Sequence, residues 1–551
     1  MYTKLTNGKI YDPVHGINGE HRDIYIRDGY ITRKPSANVK IDQTFDMKGK
    51  IIMAGAIDIH THIGGGKVNI ARMMLPEDHE ADLVSKTNIT RSGCGNAAPS
   101  TLTAGYRYAE MGYTACFEPA MLPTNARQTH MEMADTPMVD KGAYALIGSD
   151  DFFLRMMASK KEQAAISDYV GWIINATQAL GIKVVNPGGI NAFKFNQRKL
   201  DLDEQNSHYG VSPRQILIAL ARAVTELGIP HPLHVHGCNL GVPGNVETTL
   251  ETIRAAEGMR MHITHIQFHS YGIEGDRKFS SGAAEIAEAI NKNPNISVDV
   301  GQILFGQTVT ASGDAMHQYE SHWHAHPKKW VVMDIECDAG CGVVPFKYRD
   351  KNFVNALQWA IGLELFLLID DPWRVFLTTD HPNGAPFTSY PHLIRLLMDK
   401  SFRNDMLSTI NKDSAASSTL ASIDREYSLY EIAIMTRAAP ARSLGLKNRG
   451  HLGSGAIADI TVYTEQKNKE KMFSTPDYVF KDGEVIVKKG KISKVVHGGT
   501  HTLRPEFDMG IEKSLKRYFD QYQTMSLGNF KIDDDEIVEH GNSKIIVQPC
   551  M

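Results

Sequence analysis

Cysteine is scarce in this chain: six residues in 551, at the irregular positions 94, 116, 238, 337, 341 and 550. Such spacing excludes the disulfide framework of a small secreted domain and the clustered ligands of an iron–sulfur centre. Cys337 and Cys341 could form half of a metal site, but no second pair accompanies them, so free thiols are expected. Long apolar runs are missing as well. None reaches the ~18–20 residues that cross a bilayer, and the opening stretch, Met1 to Gly8, lacks the apolar core of a signal peptide. A cytoplasmic protein with no membrane contact is expected. An excess of charge of either sign is also absent: 59 Lys and Arg face 63 Asp and Glu, a formal net charge of −4. With no basic block long enough to track a phosphate backbone, nucleic acid is not an expected partner. A GxGxxG turn is missing too, which argues against a dinucleotide redox site. The chain shows no internal repeat and no low-complexity tract.

What remains is an ordinary globular composition, 42% hydrophobic and 22% charged, with two textures along it. Residues 1–53 read as short strands and turns, with strand candidates Leu5 to Tyr11, Arg22 to Arg27, Ile31 onward and Lys40 to Met47. The same texture returns after 441 in Asp459 to Tyr463 and Tyr478 to Val487. Asp28-Gly29, Asp482-Gly483 and Lys489-Gly490 are hairpin turn signals. The two ends, 1–53 and 441–500, are expected to form one small β-sandwich domain.

Between them, over 54–440, eight strand candidates alternate with helical patterns. They are Ile51 to Ile59, Tyr113 to Glu118, Ala143 to Gly148, Ile182 to Val185, His231 to His236, His262 to Phe268, Ile296 to Val300 and Val375 to Thr379. That count and order predict an α/β fold, a (β/α)₈ TIM-like barrel. Ser212-Pro213-Arg214-Gln215 predicts a capped helix start. Residues 501–551 form a C-terminal extension with an amphipathic segment, Ile511 to Gln523, and an acidic patch at 533–536. A solvated tail and a partner-binding arm remain open readings for it.

Histidine is plentiful, 23 in all, and clustered. His60 and His62 follow the first strand with the i, i+2 spacing that points two side chains to one face. His234 and His236 close the fifth strand, His262 and His265 lie on the sixth, and Asp380-His381 follows the eighth. All fall at strand C-terminal ends, where barrel chemistry sits. A binuclear site also needs an anionic bridge, which a carbamylated lysine supplies. Lys183 and Lys194 both compete for that role. Lys183 is preferred, because the break Asn186-Pro187-Gly188-Gly189 puts it near a strand end. His262 is expected to be structural or to stand behind a metal ligand and orient it, with His265 on its opposite face. The run containing His317, His322, His324 and His326 is expected to be a loop over the barrel mouth.

His-x-His, a strand-four lysine, histidines on strands five and six and a strand-eight aspartate together resemble the amidohydrolase superfamily. Gly55-Ala-Ile-Asp58 and Gly453 to Ile460 are similar to that superfamily's entry and exit segments. The longer loops His62 to Arg72, Lys183 to Gly189, His234 to Asn245, His262 to Gly272 and Asp299 to Gly306 resemble the family of formylmethanofuran dehydrogenase A subunits. That family includes the A subunit of the bacterial formyltransferase/hydrolase complex, which the non-archaeal look of the stretch around Lys194 favours.

The resemblance implies two zinc ions bridged by N6-carboxylysine. His60, His62 and Asp380 would hold one ion, His236 and His265 the other, and Lys183 both. It further implies hydrolysis of formyl-methylofuran or formyl-methanofuran to formate and free amine, with Asp380 as general base. Asn69, Arg72 and His381 are candidate substrate contacts, with a plain surface or structural ion pair the favoured reading for Arg72. The partners would be a formyltransferase subunit together with the other subunits of the complex. The alternatives are a dehydrogenase A subunit that condenses formate with methanofuran, a cyclic amidase of hydantoinase or dihydroorotase type, and a non-catalytic scaffold.

Overall fold

The apolar run Ile51 to Ile59, expected as one strand, serves two sheets. In the computed structural model Lys50–Ala54 belongs to one and Ala56–Asp58 to another. The change of partner happens at Gly55, whose N–H donates to Asp459 O at 2.8 Å while that of Ala56 donates to Gly112 O at 2.9 Å. A side chain would not fit there, since a Cβ on Gly55 would stand 2.1 Å from Thr114 Oγ1. The structure describes residues 1–551 except 81, 190–191, 193–196, 198–199, 313–330, 333–341 and 542–543. Lys194, the Cys337 and Cys341 pair and the His317 to His326 run therefore lie outside the described residues.

The first sheet joins strands from the two ends of the chain. Tyr2–Asp12, Ile17–Arg27 and Lys50–Ala54 share it with Ile460–Thr464, Tyr478–Lys481 and Glu484–Lys488. The seam is antiparallel, Lys50–Ala54 against Ile460–Thr464. All three turn signals are seen directly: Asp28 and Gly29 have φ of 51° and 84°, Asp482 and Gly483 of 51° and 80°, and Lys489 and Gly490 of 52° and 69°. Two successive positive φ values match the twist of flanking strands, which is why Asp-Gly recurs there.

The second set of strands is parallel. Glu118–Met121, Ala143–Leu146, Gly181–Val185, Leu233–His236, Met261–Ile263, Ile296–Asp299 and Val375–Phe376 pair in that order. Tyr113–Cys116 pairs with Ala56–Asp58, and a parallel bridge from Thr61 to His381 ties the first strand to the last. Helices follow the strands, among them Gln163–Thr177, Pro213–Glu226, Asn245–Ala255, Ala283–Lys292 and Phe353–Leu368. The Pro213 helix starts as read: the Ser212 and Gln215 side chains each accept from the other's backbone N–H, a reciprocal cap that contributes about 1 kcal/mol. The sixth strand is shorter than expected, because Ile266–His269 turns into a 3₁₀ helix.

The C-terminal extension is neither a solvated tail nor a free arm. Helix Ile511–Tyr522 buries Leu515, Tyr518 and Phe519, and Trp172 stacks on Phe530 at 5.4 Å between centroids. Two residues of the acidic patch are engaged in ion pairs, Asp534 with Arg504 and Glu536 with Arg127. Thr500–Leu503 and Ile545–Gln548 close the extension as a parallel pair. No helix among the described residues is long and apolar enough to cross a membrane.

Candidate metal centre

The parallel strands end in a buried group of imidazoles and carboxylates. His60 and His62 are 0% and 1% exposed, and both point Nε2 at Asp380 Oδ1, at 2.9 and 3.5 Å. Their rings lie 5.8 Å apart and perpendicular, so two nitrogens and one oxygen converge from different directions. Asp380 reaches them through a left-handed backbone, φ 49°, a conformation that tends to be retained at functional sites. Burial alone would raise its carboxyl, but His265 and His60 outweigh that and hold it well below the usual carboxylate range.

A second group stands beside the first. His236 Nδ1 and His265 Nε2 are 3.0 Å apart, and the His60 and His265 rings, 5.6 Å apart, join the two groups. His269 completes a set in which one ligand atom from each residue lies within 4.8 Å of the others. The third expected element, Lys183, is 2% exposed on Gly181–Val185, level with His234 on the next strand. Burial pushes its ammonium down to about 8, against the upward pull of Asp380.

These residues suit metal ions. Nitrogen and oxygen ligands of one zinc ion, at ~2.0–2.2 Å from it, sit about 3.3 Å apart, close to the separations seen. Buried polar atoms without a hydrogen-bond partner cost about 1–3 kcal/mol each, yet His265 Nδ1 and both ring nitrogens of His269 have none, while His60 Nε2 and Asp380 Oδ1 face each other. The far sides of the rings, by contrast, are anchored. His62 Nδ1 donates to Glu118 Oε1 at 2.8 Å, while Glu118 Oε2 accepts from the N–H groups of Ile63 and Gly64. His60 Nδ1 faces Thr264 Oγ1 and His234 Nε2, the latter at 2.9 Å. A carboxylate or hydroxyl behind an imidazole fixes its tautomer and presents the other nitrogen to a metal.

The amidohydrolase family matches residues 43–487. This chain belongs to that family. It is 42% identical over 545 residues, 98% of either chain, to the A subunit of the formyltransferase/hydrolase complex Fhc of Methylorubrum extorquens. Protein FwdA of Methanocaldococcus jannaschii is 40% identical over 569 residues, covering 99% of this chain and 98% of the relative. A solved structure of the formyltransferase/hydrolase complex FhcABCD from Methylorubrum extorquens, in complex with methylofuran, contains a chain that matches this one with a TM-score of 0.93. The match is at 40% identity and covers 100% of both chains. The resemblance read from the loops is thereby borne out.

In this amidohydrolase the structure brings together His60, His62, Lys183, His236, His265 and Asp380. It gives three other candidates different surroundings. Asn69 and Arg72 bond to each other at 3.0 Å, Asn69 also bonds to Glu132, and Arg72 grips Pro99 O and Ile63 O. Both brace the loop after His62. His381 sits beside the site, where its carbonyl accepts from His62 N at 2.8 Å and its Nδ1 accepts from Phe387 N at 3.2 Å.

His262 was expected to face away from His265, and it does not. The strand ends at Ile263 and His265 takes φ 40°, which swings its ring to the side His262 already faces. His262 Nε2 then meets Asp299 Oδ2 at 3.0 Å. Asp299 is the main residue sequence reasoning left without a role. It accepts from Thr264 Oγ1, His265 N and Thr378 Oγ1 at 2.7, 3.0 and 2.8 Å, so one carboxylate positions parts of three strands. Its place in the motif Asp299 to Gly306 was the available signal. Glu118 gave only its place at a strand end.

Proposed function

We propose that this chain is the hydrolytic subunit of a formyltransferase/hydrolase complex. It would cleave the formamide of formyl-methylofuran, or of formyl-methanofuran, to formate and the free amine. The carrying observation is the end-to-end match to the Fhc A subunit combined with the convergence of His60, His62 and Asp380. A non-catalytic scaffold would have no reason to keep buried, unpartnered ligand atoms at that cost. In this reading the parallel strands form a (β/α)₈ barrel over 54–440. The end segments 1–53 and 441–500 form one small β-sandwich domain, and 501–551 is an extension packed on the barrel.

His60, His62 and Asp380 would hold one zinc ion and His236 and His265 a second. The Lys183 amine is buried and shifted toward its neutral, nucleophilic form, so it suits carbamylation by carbon dioxide into the anionic bridge. Divalent ions bound there would supply Lewis acidity to a carbonyl and acidify water.

The chain's own groups do the rest. Glu118 and Thr264 hold the two histidine rings in the tautomer that leaves Nε2 bare. The Asp380 carboxylate takes the proton from the attacking water and gives it to the leaving nitrogen. The same groups serve the reverse condensation, so the direction of flow belongs to the partner subunits.

The test is formate release from a formylated furan amine by the purified chain with its co-purifying subunits. Release is expected to stop on zinc removal, return on zinc addition, and fall about 10²–10⁴-fold in Asp380→Asn. Activity that survives metal removal would refute the proposal.

A further inference from the structure

We propose that His269 is a third protein ligand to the ion held by His236 and His265. The inference rests on the two-ion reading above and concerns a residue outside the predicted ligand set. His269 is 1% exposed, and neither of its ring nitrogens has a hydrogen-bond partner. Burying an imidazole that way leaves two polar atoms uncompensated, at about 1–3 kcal/mol each. The cost is removed if one nitrogen binds something.

The surroundings indicate what that is. His269 ends the 3₁₀ turn Ile266–His269, four residues after His265, so one short element carries both rings. Those rings lie nearly parallel, 18° and 5.3 Å apart, and His236 stands edge-on to both, at 89° to His265 and 74° to His269. One ring nitrogen from each of the three imidazoles thus lies within 4.8 Å of the others. The turn itself is fixed from behind, because Thr249 Oγ1 donates to His269 O at 2.7 Å and Asn245 Nδ2 to Phe268 O at 2.8 Å.

A set of three imidazoles suits zinc and its neighbours among the divalent transition metals, whereas magnesium and calcium take oxygen ligands.

The test compares the wild-type chain, in its co-purifying assembly, with His269→Asn and His269→Cys after exchange into cobalt(II). Zinc content and competition with a chromophoric chelator give stoichiometry and affinity; the visible and near-ultraviolet spectrum reports coordination directly. His269→Asn is expected to weaken one of the two ions about 100-fold or more, leaving the other at wild-type affinity. His269→Cys is expected to gain a thiolate-to-cobalt charge-transfer band, and it carries the test should His269→Asn fail to fold. Unchanged affinities in His269→Asn, or absence of that band in folded His269→Cys, overturn the proposal. A wild-type chain that holds a single ion overturns the two-ion reading first, and this proposal with it.

Discussion

Glu118 shows how much one side chain outside the ligand set decides. Its two oxygens accept from His62 Nδ1 and Ala120 N on one side, and from the Ile63 and Gly64 N–H groups on the other. In Glu118→Gln the amide NH₂ must face one pair of donors in either orientation. The variant is expected to stay folded but to lose about 10–100-fold in metal affinity, measured by chelator competition; unchanged affinity would mean that the carboxylate does not orient His62.

His130 gives a prediction of a different kind, about acid stability. It is buried on helix Ala126–Ala134, with Nε2 on Thr177 O at 2.8 Å and Nδ1 unpartnered. Burial, against a weak upward pull from that bond, lowers its pKa to about 4. The unfolded chain takes up this proton near pH ~6.5 and the folded chain only near 4. Stability is therefore full above ~6.5 and drains away as pH falls toward 4, by about 3 kcal/mol from this residue. His130→Gln, whose amide can still donate to Thr177 O without titrating, is expected to flatten that part of the slope. Urea midpoints at pH 7 and 4.5 check it, and equal slopes in the two proteins would contradict it.

At the scale of elements, the sequence was legible wherever chemistry and local geometry coincide. Asp28-Gly29 and Asp482-Gly483 needed positive φ and have it; Ser212 and Gln215 formed the reciprocal cap their spacing predicted. His60 and His62 were readable because the two-residue period of extended chain is a local rule. Gly55 was not readable in the same way. Nothing in an apolar run says where it leaves one sheet for another, since that depends on Thr114, which is close only in the fold. Gly55→Ala is expected to cost about 1–3 kcal/mol by denaturant unfolding, because its Cβ would meet Thr114 Oγ1 at 2.1 Å. Thr114→Ala in the same chain should restore part of that loss. An additive double variant would show that the contact is not the cause.

At the scale of the whole molecule, the candidate metal site draws on several parallel strands. The candidate ligand atoms come from segments that end the first, fifth, sixth and eighth parallel strands, so an ion that bound only the folded chain would stabilise all of them together. At a free-ion concentration a thousandfold above Kd, that linkage is worth about 4 kcal/mol per ion. Chelation should therefore lower the thermal midpoint and zinc should restore it. A midpoint indifferent to chelator would show that the folded chain holds no ion. The docked extension adds a second fastening, through the stack of Phe530 on Trp172 and the bond from Trp172 Nε1 to Glu512 Oε1 at 3.1 Å.

The sequence by itself determined the strand-end histidines, the lysine and the aspartate, the hairpin turns and the family, because each is written in local spacing or in long, rare loops. Only the tertiary structure decided that His265 and His262 face the same side, that Asp299 and Glu118 stand behind the site, and that Asn69 and Arg72 are occupied in bracing a loop. It also revealed that His269 is buried with both ring nitrogens bare. Those facts depend on a left-handed turn at one residue and on neighbours far away in the chain. Periodicity along the sequence carries no information about either.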